Sequence, residues 1–302
     1  MNLHFPSNLS EADLQARIRE ADHAFEEKLA MLAEELNRVG RLRFFGLTGP
    51  TCSGKTTAAR MLTERLDRLG FRVHLISIDD FYFEKSHLRA LAEQKGSGEL
   101  DYDSEDTIDL ELLHECVASL QAGNPTRLPH FNFLTGLREC GVMLLPDEHD
   151  LFLFEGIQIL YPKVHAILAG ETYRSIAICP VSGIETGGQT FAPNEIRLMR
   201  RLVRDELYRG APASFTLSLW NSVRKNEEKN IFPYIGNCFH TVDSTMPYEI
   251  GMLKPFLEND LKKVPESDPN HRTAQTILEQ IRFVEPVSTS MIAPNSLYRE
   301  FI

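Results

Sequence analysis

A glycine-rich loop limits what this chain can fold into more than any other feature. Residues 44–60 read FFGLTGPTCSGKTTAAR: an apolar run, a loop, then a helical pattern. Gly49-Pro50-Thr51-Cys52-Ser53-Gly54-Lys55-Thr56 satisfies GxxxxGK[ST] at every fixed position. Glycines at these places let backbone N–H groups turn inward around phosphate oxygens. The following helix presents its positive end to the same oxygens. Lys55 offers a mobile cation to the β and γ phosphates, and the Thr56 hydroxyl a ligand for Mg²⁺. Cys52 reads as a small filler. The sequence predicts a strand over 41–48, a helix over 56–69 stopped by Gly70, and a second strand over 71–79. That strand–loop–helix–strand setting is the one in which such a loop binds a nucleoside triphosphate, so ATP and Mg²⁺ are the expected cofactors.

Further strands are expected at 150–156, 174–180 and 238–242, and helices at 109–121, 195–208 with Asn194 as its cap, 247–262 and 271–282. RLPHFNFLTGLRECGVMLL suggests two short strands around a Thr135-Gly136 turn. Residues 84–107 read as polar and loop-rich, and SGIETGGQT (182–190) as a flexible linker. Strands alternating with helices predict an α/β fold whose mostly parallel sheet is covered on both faces. Ligands then gather at the carboxyl ends of the strands. Upstream, Ser10 and Asp13 open a helix over 10–39, stopped by Gly40, whose Leu14, Ile18, Ala21, Phe25, Leu29, Leu32, Leu36 and Val39 recur every three or four residues. That stripe either packs on its own domain or forms a seam between two subunits, which leaves a homodimer open. The expected division is an N-terminal helix (1–40), a core domain (41–250) and a C-terminal helical extension packed on the core (251–302).

The net charge of −11 repels nucleic-acid phosphates and anionic lipids, so neither is an expected partner. Five cysteines without CxxC spacing point to a reducing compartment. No apolar run approaches the roughly 20 residues of a membrane-spanning helix. A cytoplasmic protein is expected. No HExxH spacing suggests zinc.

Several side chains are candidates for the chemistry. Asp79 and Asp80 close the second strand in SIDDFY, where a carboxylate can take a proton from an attacking hydroxyl or hold Mg²⁺ through water. Adjacent residues of a strand point to opposite faces, so one Asp is functional and the other structural. Glu155 ends LFLFEG; a carboxylate after four apolar residues is costly unless it meets a cation or water, which suggests a place near Mg²⁺. Arg197, Arg200, Arg201 and Arg204 recur at spacings of three and four, so most share a helix face, either over the phosphates or paired with Glu195, Asp205 and Glu206. Following a glycine-rich hinge, that helix reads as a moving lid. Phe131, Phe133 and Trp220 either stack on a base or belong to the core.

The ordered set GPTCSGKTT, SIDDFY, DYDSEDTID, LPHFNF…R, LFLFEGI and RLMRRLVRDELYRG resembles the uridine kinase and phosphoribulokinase family, over about residues 41–250. The later LWNSVRKNEEKNIFPYIGN, YEIGMLKP and SLYREFI look like a bacterial branch of uridine kinase-like nucleoside kinases. The resemblance implies a P-loop NTPase three-layer fold with a small β-hairpin and a helical lid. It implies a kinase that carries the γ-phosphate of ATP to a nucleoside 5′-hydroxyl. By position, Gly49 to Thr57 match the phosphate loop, with Lys55 on phosphate and Thr56 on metal. Asp79 matches the catalytic base, and Tyr82 lies beside it on the acceptor side. Asp103 matches the carboxylate that grips the ribose. Phe131 and Phe133 lie where the family's hairpin packs on the base, and Arg138 falls near the acceptor. Glu155 matches a glutamate near the metal. Arg200, Arg201 and Arg204 fall on the lid helix. Two departures stand out: Gly136 replaces a histidine that reads the pyrimidine edge, and Leu219 replaces a glutamine after the lid. Without both readers the base is loosely specified. The alternatives are a kinase of another small hydroxyl compound, such as a sugar phosphate or a pantothenate-like alcohol, or a non-catalytic nucleotide-binding regulator.

Overall fold

The computed structural model describes residues 1–39, 43–94, 104–170 and 173–302. At its centre lies a five-stranded sheet. Its strands are β2 (Phe44–Thr48), β3 (Arg72–Ser77), β6 (Asp150–Glu155), β7 (Tyr173–Cys179) and β10 (His240–Asp243). They run in the order β10-β7-β2-β6-β3, and every neighbouring pair is parallel. The apolar runs are continuous because both faces are buried. On β2, Phe45 and Leu47 face one core and Phe44 the other; on β6, Leu151 and Leu153 oppose Phe152 and Phe154 in the same way.

One face is covered by α1 (Glu11–Arg38), α2 (Lys55–Arg68), α6 (Pro193–Arg209) and α9 (Glu249–Leu261). The other carries α4 (Leu110–Gln121) and α5 (Pro162–Leu168). The stripe of α1 is spent within the chain: Ile18, Phe25, Leu29, Leu32 and Leu36 are buried and the helix packs along α2. Burying each such side chain contributes about 1.5–3 kcal/mol, which accounts for the stripe without a second subunit. Ser10 caps α1 by accepting from the Asp13 N–H.

Three sequence expectations need correction. Residues 182–190 are not a flexible linker. They form a hairpin of β8 (Gly183–Thr186) and β9 (Gln189–Phe191), and β1 (Asn2–His4) adds to β8 in parallel. Gly187 and Gly188, at φ 57° and 73°, make the tight turn, and a Gly-Gly pair with two positive φ values is itself a hairpin signal. The loop-rich reading of 84–107 misses α3 (Lys85–Gln94), whose Leu88 is buried. Asn194 is not the cap of α6; the Ala192 N–H is satisfied by Glu195, and Asn194 accepts from Arg197 instead. The stop at Gly40 lies outside the described residues.

At the amino end of β6, far along the strand from Glu155, Asp150 accepts from Arg72 at 2.5 and 2.9 Å and from the Asp147 N–H. Burial alone would raise its pKa, but Arg72, the Asp147 amide and His74 outweigh it and hold it at about 2. A depressed carboxylate stabilises the fold above its ordinary value near ~3.9 and loses that contribution as pH falls through the folded value. Asp150→Asn should therefore lower the urea midpoint at pH 7 but leave it nearly unchanged at pH 2. An equal loss at both pH values would show that packing, not charge, is at stake.

Candidate active site

The phosphate loop follows β2 and needs its glycines for space as well as for angle. Gly49 has φ 150°, and a Cβ there would come within 1.9 Å of the Ile178 carbonyl oxygen. Gly54 has φ 91°, and its Cβ would strike Leu297. Cys52 itself adopts φ 56° and is buried. The loop is gripped from behind. The Thr51 N–H donates to Glu227 (3.1 Å), the Thr51 carbonyl accepts from Arg197 (3.1 Å), and the Cys52 carbonyl accepts from Arg200 (3.3 Å).

β3 ends at Ser77, and a single 3-10 turn, Ile78–Phe81, separates the two acids. Asp79 turns into the cleft, where its Oδ1 accepts from Gln158 Nε2 at 2.9 Å; the same amide donates to the Tyr82 hydroxyl at 3.0 Å. Asp80 turns away and ties down the hairpin of β4 (Thr126–Asn132) and β5 (Leu137–Leu144), accepting from the Phe131 N–H at 3.0 Å with His130 Nδ1 at the same distance. Burial pushes the Asp79 carboxyl above its usual range; Gln158 and the Lys55 charge pull it back in part. Burial likewise raises Glu155, opposed by Lys55 and reinforced by Asp79 and Glu300.

These groups meet in one cleft of about 320 Å³. It is lined by Thr51, Cys52, Lys55, Thr56, Asp79, Tyr82, Glu155, Gln158, Arg201 and Arg204, with Glu227 from α7 (Ala213–Asn230) and Glu300 from the C-terminal segment. Asn226 lines both this cleft and a second hollow of about 530 Å³ that Ser104, Glu105, Asp106, Lys225 and Lys229 help to line.

Some expected site residues sit elsewhere. Arg200 is not in the cleft: it is fully buried beneath the loop, paired with Glu249 at 2.5 and 2.8 Å. Arg197 is equally buried against Glu227, with the Trp220 ring 5.4 Å from its guanidinium. Trp220 therefore packs on a cation within the fold. Arg138 spends its guanidinium on Asp109 and the Tyr82 carbonyl, both at 2.9 Å, and so fixes the hairpin rather than facing the acceptor. Phe131 is buried against Tyr82, and Phe133 stands exposed beside both. Asp103 lies outside the described residues. Gln158, Glu227 and Glu300 were missed by sequence reasoning. Only Gln158 left a trace, as a polar residue inside the apolar run GIQILY.

The donor set suits a polyphosphate with Mg²⁺. Ser53 Oγ in the loop and Arg204 Nε are buried without a hydrogen-bond partner among the described residues. Among those residues no group of three or more His, Cys, Asp or Glu is placed to cage a metal. Mg²⁺ is usually held by one or two protein groups together with substrate phosphates and water; Thr56, Asp79 and Glu155 are the residues that would hold it. No described helix is long and apolar enough to cross a membrane.

Residues 44–185 match the model of the phosphoribulokinase / uridine kinase family. The chain is 29% identical over 199 residues to a uridine kinase of Schizosaccharomyces pombe, covering 63% of this chain and 37% of that protein. It is 27% identical over 165 residues to a uridine kinase of Halobacterium salinarum, covering 55% and 63%. The chain thus spans less than two-thirds of either relative. Among solved structures, D-glycerate 3-kinase from Cryptococcus neoformans aligns with a TM-score of 0.47 and 14% identity, over 72% of this chain and 88% of that one. Over residues 44–185, a phosphate loop at the carboxyl edge of a parallel sheet and the match to the phosphoribulokinase / uridine kinase family model fall on the same stretch.

Proposed function

We propose that the protein transfers the γ-phosphate of ATP to the 5′-hydroxyl of a nucleoside. The observation that carries this reading is the placing of Asp79, held by Gln158, in the same cleft as Lys55. Gln158 occupies Oδ1, so the second carboxylate oxygen takes the proton of the attacking hydroxyl. Lys55 and the cleft-lining Arg201 and Arg204 neutralise charge on the transferred group. Thr56, Asp79 and Glu155 would hold Mg²⁺, which would supply neutralisation of phosphate charge. Tyr82, backed by Phe131, gives the acceptor side an aromatic wall. Asp103 remains the candidate for the ribose hydroxyls.

One observation favours a wider choice of acceptor. At Gly136 the Lys85 side chain fills the space: an added Cβ would lie 2.2 Å from Lys85 Cδ, and Lys85 Nζ donates to the Phe133 carbonyl. A lysine stem in place of a hydrogen-bonding ring selects poorly between bases.

The test is a panel of single acceptors with Mg·ATP: ribonucleosides, deoxynucleosides, ribulose 5-phosphate and pantothenate, with product mass and ADP release read together. Nucleoside monophosphates from more than one base are expected, and Lys55→Ala should abolish them. Turnover confined to ribulose 5-phosphate or pantothenate would overturn the nucleoside assignment and leave the donor site standing.

A further inference from the structure

The donor side of the cleft already holds an anion that belongs to the chain. The Thr57 N–H donates to Glu300 Oε2 at 3.0 Å. Thr57 is the third residue of α2, so its N–H is one of the donors that a helix leaves without an internal partner. The start of a helix after a phosphate loop is where such donors and the helix dipole attract phosphate. Glu300 lines the same cleft as Lys55, Arg201 and Arg204. Its charge adds to the forces that keep Arg204 protonated against the cost of burial.

The backbone beneath Glu300 is fixed. Leu297, Tyr298 and Phe301 are buried, and Leu297 packs over Gly54 of the loop. The Tyr298 hydroxyl donates to the Glu249 carbonyl at 3.2 Å, and the Phe301 ring lies 4.7 Å from the Arg200 guanidinium. This segment cannot swing away as a flap without opening the core. The Glu300 side chain, only partly buried, can rotate.

We propose that Glu300 is a built-in competitor for the nucleotide: its carboxylate occupies the Thr57 amide in the free protein, and a phosphate of the donor must displace it. Glu300 thereby sets donor affinity without touching the transferred group. The inference rests on the donor half of the proposed function and not on the identity of the acceptor. A carboxylate and a phosphate cannot share one N–H, and their like charges oppose each other in a partly desolvated site. Apparent affinity is reduced by the fraction of free protein whose Thr57 amide is open.

Glu300→Gln keeps the size and the accepting oxygen but removes the charge. Calorimetric titration of Mg·ATP, without acceptor, into wild type and variant tests the idea. The variant should bind about tenfold more tightly, the difference between a charged and a neutral acceptor on one amide. Glu300→Ala should tighten binding in the same direction. In an amide ¹⁵N–¹H spectrum, the Thr57 resonance of the free protein should move on replacing Glu300 alone. Equal or weaker binding in both variants would overturn the inference; if wild type still binds, the donor site stands without it. Absence of binding in all three proteins would remove the donor-site reading and the inference together.

Discussion

Asp79→Asn is expected to lower kcat by about a hundredfold or more and, at neutral pH, to raise the melting temperature. Both effects come from one cause. The Asp79 carboxyl is buried, and its pKa is pushed up despite Gln158 and Lys55. A group with a raised folded pKa contributes stability that is complete below its unfolded pKa and is lost as pH rises through the folded value. At pH 7 the ionised carboxylate is therefore a burden on the fold. Asparagine keeps an oxygen for Gln158 and removes the charge. In a domain of this size each kcal/mol of relief is worth about 2–4 °C. The gain should fade below pH 4, where the wild-type acid is protonated. The acid limb of the wild-type rate profile should also lie above the ordinary carboxylate range. Retained turnover with an unchanged melting temperature would remove Asp79 as the base.

The second large effect concerns a residue that touches no substrate. Arg200→Met should cost about 3–5 kcal/mol of stability, because it strands the fully buried Glu249. The double variant Arg200→Met, Glu249→Met should regain much of that loss, since replacing both ions by apolar groups is often neutral or favourable. It should not regain full nucleotide affinity, because Arg200 also holds the Cys52 carbonyl of the loop and the Ser244 carbonyl behind it. Urea midpoints and Mg·ATP titrations on the three proteins separate the two roles. A single variant within about 1 kcal/mol of wild type would show that Glu249 finds water or sheds its charge.

The sheet and the loop were legible because their signals are local. Strands buried on both faces read as apolar runs, and GPTCSGKT carries its own backbone geometry. Asp79 and Asp80 do turn to different partners, but a 3-10 turn rather than strand pleating parts them. The arginine stripe of α6 shows where locality ends. Spacing gives most of its four guanidiniums a shared face, yet partners 30 and 49 residues onward, Glu227 and Glu249, draw Arg197 and Arg200 inside and leave Arg201 and Arg204 at the cleft. Gln158 reaches Asp79 across 79 positions, and Glu300 reaches Thr57 across 243. No window of sequence spans such pairs. The Gly187-Gly188 turn was legible and misread, since two glycines signal a hairpin as readily as slack chain.

The brace on the phosphate loop also orders events during synthesis. Asp22 on α1 accepts from the Tyr248 and Ser296 hydroxyls, and Leu297 to Phe301 then close over Gly54 and Arg200. The loop leaves the ribosome long before these residues do. At roughly 5–20 residues per second the delay is on the order of tens of seconds. Through that interval the nascent chain carries a phosphate loop without its carboxyl-side support, and α1 waits with part of its polar network unmet. Completion of the nucleotide site thus waits for residues translated long after its signature.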